Sequence, residues 1–444
     1  MIFINTRNKK EYNFFEIFTK GVADKGGLFL PLKIPKISLK KILRKKSYNE
    51  VFFYIFKKFL TKEELKLINL KKTIKLSFNR KNFFYKKKII SISKIKIFSK
   101  KVSILDICKG KSGSFKDMAI SFASNLFKNY SKKKKINIVS STSGDTGSSC
   151  INFMKENKNV NTFILSPYKK ISPFQANQMF TVKKKNIFNI KIRGNFDKCQ
   201  KILKENILKN KNFSTLNSIN FIRIISQSVY YAYCYKYFKS PMTFSIPTGN
   251  FGNAYSAYLA FKMGIPIKKV FICNNENDTC FRIFNNIEKK KKKVVQTNSP
   301  SMDILLPSNL ERFFYEYLKK KDFNNYLKGF YPFFKKKGFF RAKKCSREER
   351  KKIIKEVYKK NKIIIDTHTA NSLVPLLKKK YCDKNFICVS TANYIKFTNS
   401  VFSILKKKKK IRLINIMKKK RKKTFFFCSK DKSKIVNFIK INRN

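Results

Sequence analysis

Glycine, histidine, tryptophan and acidic residues are all scarce in this 444-residue chain. It holds 13 Gly, one His, no Trp, and 25 Asp and Glu against 103 Lys and Arg, a formal net charge of +78. The single imidazole, and the absence of a CxxC pair among ten Cys, argue against a zinc site. No apolar run reaches the roughly 18 residues that a membrane span needs, and no secretory signal pattern opens the chain. A cytoplasmic protein with reduced, buried thiols and no membrane partner is therefore expected. With 43% hydrophobic residues, including 46 Phe, the chain is no solvated polycationic tail. Its length allows two or three domains.

The charge first suggests a nucleic-acid partner, because lysine clusters release counterions from phosphates. Only 13 of the 103 basic residues are Arg, although Arg is the side chain suited to bidentate phosphate and base contacts. Lys, Asn, Ile, Phe and Tyr have AT-rich codons and are abundant here. Gly, Ala, Pro, Arg and Trp have GC-rich codons and are depleted. Compositional drift is the favoured reading, with most lysines as solvated face and no obligate nucleic-acid partner. A nucleic-acid-binding protein stays open as the competing class. Residues 401–444 carry 17 basic residues against Asp431 alone, and read as a loosely attached basic tail.

Periodicity divides the rest. Residues 1–80 read as a small, mostly helical domain, with apolar residues at helical spacing over Tyr48–Leu70 and a capping box at Thr61 and Glu64. Residues 81–101 are Lys-rich with strand-like pieces. From about 102 to 400, short apolar strands, loops and amphipathic helices alternate. Strands are expected at Lys134–Ser141, Thr162–Ser166, Met242–Pro247, Lys269–Asn274 and Phe386–Ser390. Helices are expected from about Ser148 and over Asn253–Met263. This alternation argues an α/β fold with largely parallel sheets flanked by helices.

Six of the 13 glycines lie in three short loops, as Gly110 and Gly113, Gly144 and Gly147, and Gly249 and Gly252. Glycine permits close backbone approach to a ligand, and a loop entering a helix presents free N–H groups to an anion. Taken singly, each loop also reads as an ordinary turn. In the first, Lys116 opens a helix whose apolar face runs through Phe115, Met118, Ala119, Phe122, Ala123, Leu126 and Phe127. Burial and the positive helix end both lower a lysine's pKa, which makes Lys116 a candidate Schiff-base nucleophile.

These loops carry a resemblance. Ser112-x-Ser114-Phe115-Lys116 is similar to the pyridoxal-phosphate attachment signature of fold-type II enzymes, which are tryptophan synthase β-like. The Ser143-Gly-Asp-Thr-Gly147 form and Pro247-Thr-Gly-Asn-Phe-Gly-Asn-Ala254 resemble threonine synthase. Further matches follow in the same order: Gly26–Pro31, Ile171–Pro173, Asn217–Asn220 with Arg223 and Gln227, Asn277–Thr279, Asp366–Ala370, and Ser390–Ala392 with Lys396 and Phe397. The resemblance covers about residues 1–400 and points to the longer branch of the family, with its N-terminal domain. It implies a lyase acting on O-phospho-L-homoserine and water to give L-threonine and phosphate, as a monomer or homodimer, with pyridoxal phosphate held on Lys116.

By the same resemblance, Gly249, Asn250, Phe251, Gly252 and Asn253 would cradle the cofactor phosphate, and Thr391 would meet the pyridine nitrogen. Thr142, Ser143, Asp145 and Thr146 fall in the substrate-carboxylate region. A carboxylate at Asp145, near the cofactor's phenolic oxygen, would repel it unless protonated or paired with a lysine. Arg223 and Lys111 are candidate donors to the substrate phosphate, and His368 is taken as a structural residue near the site. The chain departs from the family pattern at Lys109, Ser114, Thr367 and Asn393-Tyr394. The alternative enzyme reading is another fold-type II activity, such as a serine/threonine dehydratase.

Overall fold

Runs of Ile, Val and Phe, which suit a pleated and buried surface, form the strands of this computed structural model. It describes residues 1–84, 88–131, 135–208, 213–287, 293–328, 338–378, 383–407, 427–429 and 431–443. Near the start, β1 (Phe3–Asn5) pairs antiparallel with both β2 (Glu11–Tyr12) and β3 (Phe29–Pro31). The N-terminal segment is thus helical around a small sheet. The apolar stretch from Tyr48 is two helices, Tyr48–Phe56 and Lys62–Ile68, because Leu60 is extended and Thr61 caps the second one. The capping box of Thr61 and Glu64 is present. Phe52 and Phe56 pack against Phe122 at 4.7 and 4.6 Å, so the N-terminal helices share one apolar core with the helix that follows Lys116.

Two further sheets carry the rest. The first contains β4 (Ser91–Ile97), β5 (Lys100–Asp106), β10 (Met242–Pro247), β11 (Ile267–Asn274), β12 (Phe340–Lys344) and β13 (Phe386–Ser390). Its order is β12-β11-β10-β13-β5-β4, parallel throughout except for the β4–β5 hairpin. The second contains β6 (Ile136–Ser141), β7 (Val160–Pro167), β8 (Ile187–Ile192), β9 (Phe213–Ser214) and β14 (Phe427–Ser429). Its order is β14-β8-β7-β6-β9, all parallel. The expected strands at β10 and β13 have the bounds read from sequence. Lys134, at the start of the expected β6, lies outside the described residues.

One expectation is corrected. The C-terminal segment is not a loose tail where it is described: β14 extends the second sheet beside β8, and the helix Lys432–Ile441 buries Ile435 and Ile439 in that sheet's core. Its apolar positions at i and i+4 outweigh the charges between them. The lysine run 418–423 lies outside the described residues, as does most of the run 406–410.

Parallel sheets place their working loops beyond the carboxyl ends of the strands. Four such ends converge here. β5 leads to the Lys116 loop, β6 to the loop at Thr142–Gly144, β10 to the loop at Thr248–Phe251, and β13 to Thr391.

Candidate active site

The Lys116 loop is fastened to the end of β13. Phe115 N–H donates to the Thr391 carbonyl at 2.9 Å, and Asn393 N–H to the Gly113 carbonyl at 2.9 Å. Lys116 then caps the buried helix Asp117–Tyr130. Its ammonium donates to Asp145 Oδ2 at 2.9 Å. Burial pushes the Lys116 pKa down, and Asp145 reverses part of that fall. The next residue, Asp117, is fully buried; it accepts from Ser112 N–H and from Ser149 Oγ, and burial raises its pKa.

Asp145 opens the helix Asp145–Met154, so the helix begins three residues before the expected Ser148. Gly144 turns the chain into it with φ of 127°, and a Cβ there would stand 2.4 Å from Gln175. Four side chains occupy the Asp145 carboxylate. Lys116 and Ser301 donate to Oδ2 at 2.9 and 2.8 Å, while Lys396 and Gln175 donate to Oδ1, each at 2.8 Å. Burial alone would raise this carboxyl; Lys116 and Lys396 outweigh it and hold the group well below the ordinary carboxylate range. Of the two states left open for Asp145, protonated or paired with a lysine, these contacts correspond to the second, with two lysines.

The Gly249–Asn253 backbone forms the opposite kind of site. None of its N–H groups finds an acceptor among the described residues. Phe251 sits at φ of 60° with its ring buried against Phe340, which aims the backbone rather than the side chain outward. A Cβ on Gly249 would lie 3.1 Å from Met302 Cα and 3.2 Å from the Ser301 carbonyl. Such a run of free N–H groups is a nest for a phosphate.

Lys116, Ser143, Thr146, Asn217, Arg223, Gln227, Gly249–Asn253, Ser301, His368 and Thr391 line one cavity, and no carboxylate among the described residues does. Three of these residues carry a buried N–H donor with no acceptor: Arg223 Nε, Gln227 Nε2 and Asn253 Nδ2. Buried donors are ordinarily satisfied, so three orphans around one cavity fit a polyanionic ligand. Arg223 donates one bond, to the Leu216 carbonyl at 3.0 Å, and burial pushes its pKa down to about 10. The Thr391 hydroxyl takes no partner among the described residues. A larger cleft, of about 1040 Å³, lies between Arg7, Lys20 and Lys201 and holds none of these residues.

The comparisons follow the geometry. Residues 2–78 match the family model described as threonine synthase N terminus. Threonine synthase from Saccharomyces cerevisiae is 32% identical over 91% of this chain and 89% of its own length. That from Buchnera aphidicola of Acyrthosiphon pisum is 32% identical, covering 91% of each chain. The chain belongs to the threonine synthase family. The yeast threonine synthase crystal structure superposes with a TM-score of 0.86, 31% identity and coverage of 99% of this chain and 98% of that one. A PLP-bound threonine synthase from Brucella melitensis gives 0.85 at 26% identity, with both chains covered completely. The fold is that of the fold-type II enzymes, with parallel sheets flanked by helices.

Several candidates take other places than expected. The Thr142 hydroxyl accepts from Gly144 and Gly147 N–H at 2.8 Å each, so it shapes its own loop rather than facing a substrate. Asp145 lies beneath Lys116, outside the cavity wall, with both oxygens occupied. Lys111 reaches over the Phe153 ring at 5.5 Å, near the far end of the helix that Asp145 starts, and does not line the cavity. The Asn250 side chain bonds Ser218 and Ser308 N–H, and Asn253 Oδ1 accepts from Tyr230 and Tyr231. Both frame the nest whose backbone does the presenting.

His368 lines the cavity with both ring nitrogens engaged. Nε2 accepts from Ser301 N–H at 3.2 Å, so Nδ1 carries the proton and donates to Asp366 at 3.0 Å. The departures from the family pattern are absorbed locally. Ser114 bonds Ser112, Thr367 donates to the Asn298 carbonyl, and Asn393 caps Ile395 N–H. Sequence reasoning gave no role to Gln175 or Ser301, and Lys396 appeared only as a matched position.

Proposed function

We propose that this chain converts O-phospho-L-homoserine and water to L-threonine and phosphate, with pyridoxal phosphate carried on Lys116. One observation carries the reading: a largely buried lysine, a run of unpaired backbone N–H groups and three orphan donors share one cavity without a carboxylate among the described residues. Membership of the threonine synthase family gives that cavity its chemistry. Bound there, the cofactor would supply the electron sink that stabilises carbanions at Cα and Cβ.

The chain's own residues bind, orient and move protons. Gly249–Asn253 would hold the cofactor phosphate on backbone N–H groups, and the Thr391 hydroxyl would meet the ring nitrogen. A neutral hydroxyl there, unlike a carboxylate, would not draw a proton onto that nitrogen. Arg223 and Gln227, with Ser143 and Thr146, are the donors open to the substrate's anionic groups. A phosphate dianion is costly to desolvate without such donors.

Lys116 is the cavity amine placed to give up and regain a proton, because burial lowers its pKa, whereas Arg223 is a guanidinium. It would take the proton from Cα and one from Cβ. The C–O bond at Cγ then breaks, and the phosphate leaves with its electron pair. Cγ gains a proton to become a methyl group, water adds its hydroxyl at Cβ, and Cα is reprotonated. Tethering the base within reach of adjacent carbons replaces a bimolecular encounter at each step.

We place this enzyme in the cytoplasm, as a monomer or homodimer without an obligate nucleic-acid partner. Compatible with that, no helix among the described residues is long and apolar enough to cross a membrane, and Cys108, Cys150, Cys199, Cys234, Cys273, Cys280, Cys345 and Cys388 are free and buried. We read residues 1–80 and 81–400 as its N-terminal and catalytic regions. Phosphate release with threonine formed from O-phosphohomoserine, and none from homoserine, is the expected assay result. Turnover of serine or threonine to an oxoacid without phosphate release would favour a dehydratase instead.

A further inference from the structure

Lys396 is one lysine among very many, yet it is only 2% exposed. Its ammonium is spent entirely inside the protein, on Asp145 Oδ1 at 2.8 Å and on the Ser112 carbonyl at 2.8 Å. It arrives from the end of β13 and joins the Lys116 loop to the helix that Asp145 opens. Lys116, Asp145 and Lys396 thus form a buried row of cation, anion and cation.

We propose that Lys396 is a positioning residue that keeps Asp145 a fixed carboxylate, so that Lys116 can give up its proton without stranding a buried negative charge. The inference rests on Lys116 being the lysine that bonds the cofactor, since an amine must be neutral to attack a carbonyl.

The electrostatic logic is short. With Lys396 present, deprotonating Lys116 leaves a neutral Asp145–Lys396 pair, and the row goes from a net charge of one to none. Without Lys396, the same step turns a neutral Lys116–Asp145 pair into a lone buried carboxylate, which is heavily penalised. Lys396 therefore lowers the barrier to the neutral amine in two ways: it repels the Lys116 charge directly, and it takes over the Asp145 charge.

The other charged groups facing this row do not replace it. Arg223 faces Lys116 and disfavours its charge, but makes no contact with Asp145. Asp117 is tied to Ser112 and Ser149. His368 adds a through-space pull on Asp145 smaller than that of either lysine, touches it only through Ser301, and has both nitrogens engaged. Ser301 and Gln175 donate to Asp145 without bringing charge.

The test is the pH dependence of covalent pyridoxal-phosphate uptake by the full-length cofactor-free chain, followed by its visible absorbance and by borohydride trapping on Lys116. For Lys396→Met, the midpoint of uptake is expected to rise by about one to three pH units. Lys396→Arg restores the cation and should bring the midpoint back toward wild type. Asp145→Asn combined with Lys396→Met removes the carboxylate as well, and should return the midpoint to the wild-type value or below it.

If Lys396→Met alone fails to fold, the double variant decides. Folding of the double variant with a low midpoint supports the inference. A double variant that is equally unfolded, or whose midpoint lies above wild type, overturns it. An unchanged midpoint in a folded Lys396→Met chain overturns it too. A wild-type chain that traps no cofactor on Lys116 instead overturns the functional reading beneath it, and is distinguishable from both.

Discussion

Arg223→Met separates binding from folding. The guanidinium is buried, holds one carbonyl, leaves Nε unpaired and meets no carboxylate among the described residues. Burial brings its pKa down to about 10, a fall worth about 3 kcal/mol of lost stability at about 1.4 kcal/mol per pH unit. Methionine removes that cost together with one charged hydrogen bond, itself worth about 1.5–3 kcal/mol. The two changes nearly cancel, so the unfolding free energy should stay within about 2 kcal/mol of wild type.

Arg350 is the internal control. It is equally buried but pairs with Glu276 at 2.8 Å and bonds Asn298 and Asn371. Arg350→Met breaks a paired network and should cost about 3–5 kcal/mol. Function should order the two variants the other way. Loss of the cationic donor to a dianion costs about 2–5 kcal/mol of binding, so kcat/KM for phosphate release should fall about 30-fold or more in Arg223→Met. Urea unfolding and steady-state phosphate release on both proteins give the answer. An Arg223→Met chain as destabilised as Arg350→Met, with kcat/KM intact in its folded fraction, would show that the guanidinium is a structural pin and refute the reasoning.

Three further outcomes follow from particular contacts. Gly144→Ala combines a φ of 127° with a Cβ 2.4 Å from Gln175; it should cost about 1–3 kcal/mol from backbone strain alone and lower both the thermal midpoint and cofactor occupancy. Asp145 has a folded-state pKa well below its unfolded value, so its contribution is fully present above about pH 5 and is lost as the pH falls below about 4. Urea midpoints should drop in wild type as the pH is lowered from about 4, and this drop should flatten in Asp145→Asn. Ile435→Ala and Ile439→Ala should each cost about 2–5 kcal/mol by chemical denaturation, because both side chains are buried against the second sheet; a loosely attached tail would give no change.

Legibility from sequence tracked how a signal survives a lysine-rich background. β10 and β13 were readable to the residue, because apolar runs ended at Pro247 and at the Ser390-Thr-Ala392 element. The three glycine loops were readable for the same reason: glycine is scarce, and these positions keep it. The β4–β5 hairpin was blurred, since its isoleucines alternate with outward lysines and serines and its turn holds Phe98 and Ser99 rather than glycine. The C-terminal helix was hidden by charge, although Ile435 and Ile439 marked its buried face. Lys396 could not be singled out on residue type at all. Its role depends on meeting Asp145 across a long separation in sequence, and only tertiary structure brings the two together. Thr142 and Lys111 were misplaced for a related reason: a motif gives position along the chain, while the direction of a side chain is set by which N–H groups and rings surround it.

The most direct single measurement is cofactor trapping and turnover in Lys116→Ala beside wild type. Purified wild-type chain should carry a visible pyridoxal-phosphate band, retain the cofactor on Lys116 after borohydride, and release phosphate and threonine from O-phosphohomoserine. Lys116→Ala should retain no trapped cofactor and show no turnover. A mutant that still traps the cofactor elsewhere, or still makes threonine at the wild-type rate, would contradict the assignment of this lysine and the cavity built around it.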